Sequence, residues 1–228
     1  MTAMLASVNS LNEARLVRGH NVDIIDLKQP ARGALGALDA RTVAEIVADL
    51  KPAARISATV GDLPMQSDLV CKAVRAMAAT GVDYIKIGFF PGGDWQSCIT
   101  ALAAVASQGK ALIAVLFADT RPDFTIIETL AGAGFRGVML DTMDKRRGSL
   151  TRLLTLAELQ QFIRLSKDYS LLSGLAGSLA ESDIAGLLPL NADYLGFRGA
   201  LCRGSQRTAQ LDAEQIARIR QLLAEVKP

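Results

Sequence analysis

Short apolar runs alternate along the chain with longer segments whose apolar positions recur every three to four residues. The runs are MLASV (4–8), VDIIDLK (22–28), RISATVG (55–61), YIKIG (84–88), ALIAVLFAD (111–119), GVMLDT (137–142), LSGLAGS (172–178) and YLGFRGA (194–200). Each reads as a buried strand. Between them ARTVAEIVADL, SDLVCKAVRAMAAT, LAELQQFIRLSKDY and AEQIARIRQLLAEV (213–226) read as amphipathic helices. In AATGVDYI, AGAGFRGV and LPLNADYL a Gly or Asn stands between helix and next strand, where a left-handed C-cap is expected. No Pro-, Ser- or Gly-rich linker divides the chain. Eight βα units in this length predict an α/β fold, a single-domain (β/α)8 TIM barrel over residues 1–228.

In a barrel one parity of each strand faces inward and the other lies under the helices. In the second run Ile25 and Leu27 take the helix face, which turns Asp26 and Lys28 inward at the carboxyl end. The same test turns Lys86 inward against Ile85 and Ile87, Asp119 against Ala118, Asp141 against Leu140, and Arg198 against Phe197. Ser57 and Thr59 oppose Ile56 and Val60. Polar groups thus gather at the carboxyl ends of the strands, the catalytic face of such barrels.

Half of the 228 residues are hydrophobic and 21% are charged, so the chain is neither disordered nor of low complexity. A net charge of +2 with no basic stripe argues against nucleic acid as a partner. No window approaches the ~18 unbroken apolar residues of a membrane span, and the start has no signal-peptide pattern. Cys71, Cys98 and Cys202 have no metal-ligand spacing and read as reduced, buried thiols of a cytoplasmic protein. The one histidine, His20, lies at a helix-to-strand turn. Histidine-based metal sites and Ser-His or Cys-His pairs would all have to be built on it.

Lysines therefore carry the candidate chemistry. Lys28, Lys86 and Arg198, with Asp141 and the nearby Lys145, come from even-numbered strands or their loops and should share one pocket. An ion pair with Asp26 or Asp141 is the structural account of a single buried lysine. Several cations together suit an anionic substrate or a reactive amine. At its ordinary pKa of ~10.4 a lysine is neutral only about 0.04% of the time at pH 7. Burial and a second cation could lower that pKa by ~3 units and raise the neutral fraction roughly a thousandfold. A neutral amine attacks a carbonyl to form a Schiff base, with Asp26 placed to orient Lys28 or shuttle protons. That points to carbon–carbon chemistry without a metal or other cofactor.

Phosphate handling is expected after the seventh and eighth strands. There Gly177 and Ser178, then Gly199 and Ala200 beside Arg198, stand where barrel loops offer backbone N–H groups to a phosphate. Arg32, Arg146, Arg147 and Arg203 are unranked candidates for a second phosphate.

The segments DIIDLKQPARGALGA, SATVGDLP, DYIKIG, MLDTMDK, LAGSL and GFRGALC, in this order, make the chain resemble the (5-formylfuran-3-yl)methyl phosphate synthase family over nearly its whole length. The resemblance implies condensation of two glyceraldehyde 3-phosphate molecules to 4-(hydroxymethyl)-2-furancarboxaldehyde phosphate, with loss of one phosphate and two waters, in the biosynthesis of methanofuran-type carriers. It implies Lys28 as the Schiff-base lysine, Lys86 as proton acceptor, and Asp26, Asp141 and Lys145 as further active-site residues. The loops FADTRPDF and DKRRGSL depart from the family pattern. A Schiff-base aldolase acting on another phosphosugar and a non-catalytic phosphate-binding barrel remain alternatives on the residues alone. Oligomeric state stays open.

Overall fold

The computed structural model describes residues 2–225. Eight parallel strands close into a barrel in sequence order: β1 (Ala3–Val8), β2 (Ile24–Leu27), β3 (Arg55–Thr59), β4 (Tyr84–Gly88), β5 (Ala111–Phe117), β6 (Gly137–Asp141), β7 (Leu172–Leu175) and β8 (Tyr194–Phe197), with β8 pairing back onto β1. The helices surrounding it are α1 (Leu11–Gly19), α2 (Ala40–Leu50), α3 (Ser67–Ala78), α4 (Trp95–Ala106), α5 (Ile126–Gly132), the short α6 (Leu150–Leu153), α7 (Leu156–Asp168), the short α8 (Ile184–Leu187) and α9 (Ala213–Glu225). Val226, placed in the last helix by its periodicity, lies outside the described residues.

Local chemistry explains the boundaries. Asp39 and Asp94 accept from Thr42 N and Ser97 N (3.0 and 2.9 Å) and so cap α2 and α4, while Thr155 and Glu158 form a capping box on α7. Gly81, Gly134 and Asn191 adopt the left-handed backbone expected between helix and strand. A device in NVDII, GVDYI and NADYL escaped the sequence reading. Asp23, Asp83 and Asp193, just before β2, β4 and β8, accept the N–H of Met4, Ile56 and Ser173 on the preceding strand (2.8, 2.8 and 2.7 Å). Each carboxylate satisfies a strand-end donor that the ladder leaves free.

Two apolar clusters express the strand parity. Ile25, Leu27, Ile85, Ile87, Leu116, Leu140, Leu195 and Phe197 join the helices in the outer core. Leu5, Ile24, Ile113, Val115, Phe117, Met139 and Tyr194 fill the barrel interior. Several strands are shorter than the apolar runs suggest. β5 ends at Phe117 because the chain turns into a 3-10 turn over Ala118–Thr120. That corrects the inward placement of Asp119. Its carboxylate instead accepts from Met143 N and Asp144 N (2.8 and 2.7 Å), and its carbonyl accepts from Arg147 (2.9 Å). The two loops that depart from the family pattern therefore brace each other. Among the described residues no helix is long and apolar enough to cross a membrane.

Candidate active site

Above the apolar interior lies a layer of buried ions. Lys28 is 6% exposed, Lys86 2%, Asp141 3% and Asp26 0%. Asp26 accepts from Ser7 Oγ on β1 (2.8 Å), Ser57 Oγ on β3 (2.6 Å) and Lys86 Nζ on β4 (3.0 Å). Asp141 is shared. Its Oδ1 accepts from Lys145 Nζ (2.6 Å), and its Oδ2 lies 3.7 Å from Lys28 Nζ. Lys145 also donates to the carbonyl and hydroxyl of Thr142.

Of the two carboxylates open to the buried lysines, Asp26 meets Lys86 and Asp141 meets Lys28. Side chains two apart on one strand are separated by about 6.6 Å along it, so neighbours across the barrel compete better for the carboxylate.

Electrostatics mark out Lys28. Lys28 is pushed down to about 8, first by burial and then by the cations Lys145 and Lys86, against the opposing pull of Asp141 and Asp26. Burial raises Asp141, but Lys145 and Lys28 outweigh it and hold the carboxyl far below the usual range. Asp26 behaves likewise, with burial overcome by Lys86, Lys28 and the Ser57 hydrogen bond. At pH 7 a lysine with a pKa near 8 is neutral about a tenth of the time, some 250-fold more than an ordinary one. Both amines border one cavity; Lys86 is held at 3.0 Å by Asp26, whereas Lys28 is loosely paired with Asp141 at 3.7 Å.

That cavity, ≈730 Å³, lies over one half of the barrel mouth and is lined by β1, β6, β8 and the loop after β7 together with Lys28 and Lys86. Its size is typical of a small-molecule site. The other half is stoppered. The loop after β2 folds inward so that Ala34 and Leu35 join the interior cluster. Phe90 packs on Phe117 with ring centroids 4.6 Å apart. Asp62 fastens this loop by accepting from Ala34 N and Leu35 N (2.7 and 2.6 Å). Gly33 sits above it at φ +118°, where a Cβ would lie 2.0 Å from the Asp62 carboxylate. These contacts tie the motif GALGA to VGD, a link no local pattern reveals.

Gly177, Ser178, Gly199 and Ala200 all border the cavity. Gly177 has φ +106°, and a Cβ there would lie 2.7 Å from the Thr142 side chain. The N–H groups of Gly177 and Ser178 donate to no acceptor among the described residues. Arg198 also reaches the wall, but its donors are taken: it forks onto Glu13 (2.5 and 3.2 Å) and donates to the carbonyls of Ser7, Arg207 and Ala209. It is a strut and not a free cation. None of Arg32, Arg146, Arg147 and Arg203 lines the cavity; Arg207, which the sequence reading passed over, does. His20 ends α1, and the three cysteines are buried and free. Among the described residues no group of three or more His, Cys, Asp or Glu is arranged to hold a metal ion.

Known proteins share this sequence and this fold. The 4-HFC-P synthase family matches residues 4–220. A Methylorubrum extorquens protein assigned as (5-formylfuran-3-yl)methyl phosphate synthase is 42% identical, covering 94% of this chain and 88% of its own length. The (5-formylfuran-3-yl)methyl phosphate synthase of Methanococcus aeolicus is 32% identical, with 90% and 92% covered. That of Methanothermobacter thermautotrophicus is 28% identical, with 98% and 99% covered. Among solved structures, 3-hexulose-6-phosphate synthase from Salmonella typhimurium superposes with a TM-score of 0.70 at 17% identity, covering 98% and 99% of the two chains. Phosphoribosyl anthranilate isomerase from Thermus thermophilus gives 0.67 at 12%, covering 100% of each. These two share the barrel; the sequence relatives share more, and over nearly its whole length the chain belongs to the 4-HFC-P synthase family of enzymes.

Proposed function

We propose that the chain condenses two molecules of glyceraldehyde 3-phosphate to 4-(hydroxymethyl)-2-furancarboxaldehyde phosphate, releasing one phosphate and two waters, through a Schiff base on Lys28. The observation that carries this reading is the pair Lys28 and Lys86. Both amines are buried at one mouth, one loosely paired with a lowered pKa and open to the cavity, the other locked on a carboxylate. The names of the relatives supply the product.

In this scheme one triose phosphate isomerises to its ketose form, neutral Lys28 attacks the carbonyl, and loss of water gives the imine. The protonated imine draws electrons from the neighbouring carbon, which makes a proton there removable. Lys86 lies close enough to perturb Lys28; by first giving its own proton to Asp26, which also holds two serine hydroxyls, it would become the neutral amine that accepts the substrate proton. An aldol-type addition joins the second triose, and loss of phosphate and water, ring closure and release of the Lys28 amine lead to the aromatic furan. Asp141 and Lys145 hold the charge balance around Lys28 as its ammonium, carbinolamine and iminium forms succeed one another. The unpaired N–H groups of Gly177 and Ser178, with Gly199 and Ala200 opposite, suit a substrate phosphate.

Borohydride reduction during turnover of glyceraldehyde 3-phosphate should leave a stable triose adduct on the peptide carrying Lys28. Lys28→Ala should lose the adduct and lower turnover by at least about a thousandfold with the circular dichroism unchanged. An adduct at another lysine, or full activity in the variant, overturns the scheme. Formation of a different phosphosugar from glyceraldehyde 3-phosphate would instead mark an aldolase.

A further inference from the structure

Five cations border the cavity: Lys28, Lys86, Lys145, Arg198 and Arg207. Three carboxylates answer them. Asp26 takes Lys86, Glu13 takes Arg198, and Asp141 serves both Lys28 and Lys145. Glu181, also on the wall, is held by Arg218 at 2.7 Å. Arg207 is left without a carboxylate at ion-pair distance among the described residues. Its Nη2 donates to the carbonyls of Pro30 and Gly33 (2.7 and 2.6 Å), and its remaining guanidinium nitrogens have no acceptor among the described residues. Asp141 and Asp62 act on it only from farther off, and burial lowers its pKa from the ordinary value. A half-buried guanidinium with free donors beside a cavity carrying two uncompensated positive charges is built to meet an anion.

The fold also holds it there. After β8 the chain makes an excursion closed by the antiparallel bridge Cys202↔Leu211, with Arg203 N donating to Gln210 O (3.0 Å) and Asp212 N to Leu201 O (2.8 Å). Arg198 grips the backbone of Arg207 from inside this excursion (2.8 Å). Arg207 in turn grips the loop after β2, within a few residues of Lys28.

We propose that Arg207 is the recognition group for a second phosphoryl group, serving the triose phosphate other than the one cradled by the loops after β7 and β8. The inference rests on the two-triose reading above, because one cavity holding two phosphomonoesters needs two anion sites. The guanidinium would present its free donors to the phosphoryl oxygens while Nη2 keeps the loop after β2 in place.

Glycerol 3-phosphate, which has the phosphoryl group but no carbonyl, separates this role from a purely structural one. Calorimetric titration of the wild-type protein should show two equivalents bound. Arg207→Gln should bind one, and Arg207→Lys should bind the second roughly ten- to a hundredfold more weakly. Asp62→Asn serves as control, since it loosens the same loop without touching the cavity, and should still bind two. The KM for glyceraldehyde 3-phosphate should rise by a similar factor in Arg207→Gln while borohydride still traps the first triose on Lys28. Two equivalents in Arg207→Gln, one in the wild type, or loss of the second in Asp62→Asn as well would overturn the assignment. If the wild type binds two equivalents but makes no furan, the reaction reading fails and the phosphoryl site stands.

Discussion

Lys28 is held between opposing influences, of which burial is the largest and prevails. Burial and the cations Lys145 and Lys86 favour the amine; Asp141 and Asp26 favour the ammonium. With the neutral amine as the proposed nucleophile, kcat/KM should climb as pH rises and level off above about 8. Lys145→Met removes a cation that lowers this pKa and also frees Asp141 for Lys28 alone. Both changes stabilise the ammonium, so the rising limb should move to higher pH and activity near pH 7.5 should fall by about tenfold per unit of displacement. A pH–rate series on the two proteins checks this, and a limb that stays put or moves down contradicts it. The parity of DIIDLK shows that Lys28 points inward; which carboxylate meets it depends on strands 60 to 115 residues away in the chain and could not be read from that stretch.

At the level of elements, the loop after β2 determines which half of the mouth is open. Its closed form depends on Gly33, whose backbone lies at φ +118° directly over the Asp62 carboxylate. Gly33→Ala adds backbone strain and drives Asp62 off Ala34 N and Leu35 N, so two partly buried hydrogen bonds are lost with it. The variant should be less stable by on the order of 2 kcal/mol or more in urea titration, and its KM should rise as Leu35 leaves the interior. An unchanged midpoint would mean that the loop is not fastened by this contact. Glycines in GALGA are visible in the sequence. Their purpose is not, because the partner that forbids a side chain stands on the loop after β3.

For the whole molecule, closure of the barrel brings the two ends of the chain together, and Arg198 fastens that seam. It reaches from the end of β8 to the carbonyl of Ser7 on β1 (3.1 Å) and to Glu13 on α1, and it holds the excursion that carries Arg207. Arg198→Ala should cost about 3 kcal/mol of stability, because Glu13 is left with its charge largely buried and unpaired. It should also weaken substrate binding through Arg207. Denaturant midpoints and KM measured together check both effects; a loss of KM alone, with full stability, would identify Arg198 as a phosphate ligand after all.

The order of strands and helices and the inward set of Lys28, Lys86 and Asp141 were determined by the sequence itself. Periodicity of two and of about 3.6 is local, and a barrel translates it directly into inside and outside. The assignment of partners was decided only by the tertiary structure. Asp26 belongs to Lys86, Arg198 is consumed by Glu13, Asp119 leaves the barrel to brace a loop, and Arg207 is the cation left over. A carboxylate takes the cation that closure brings nearest, and closure joins residues that are far apart along the chain.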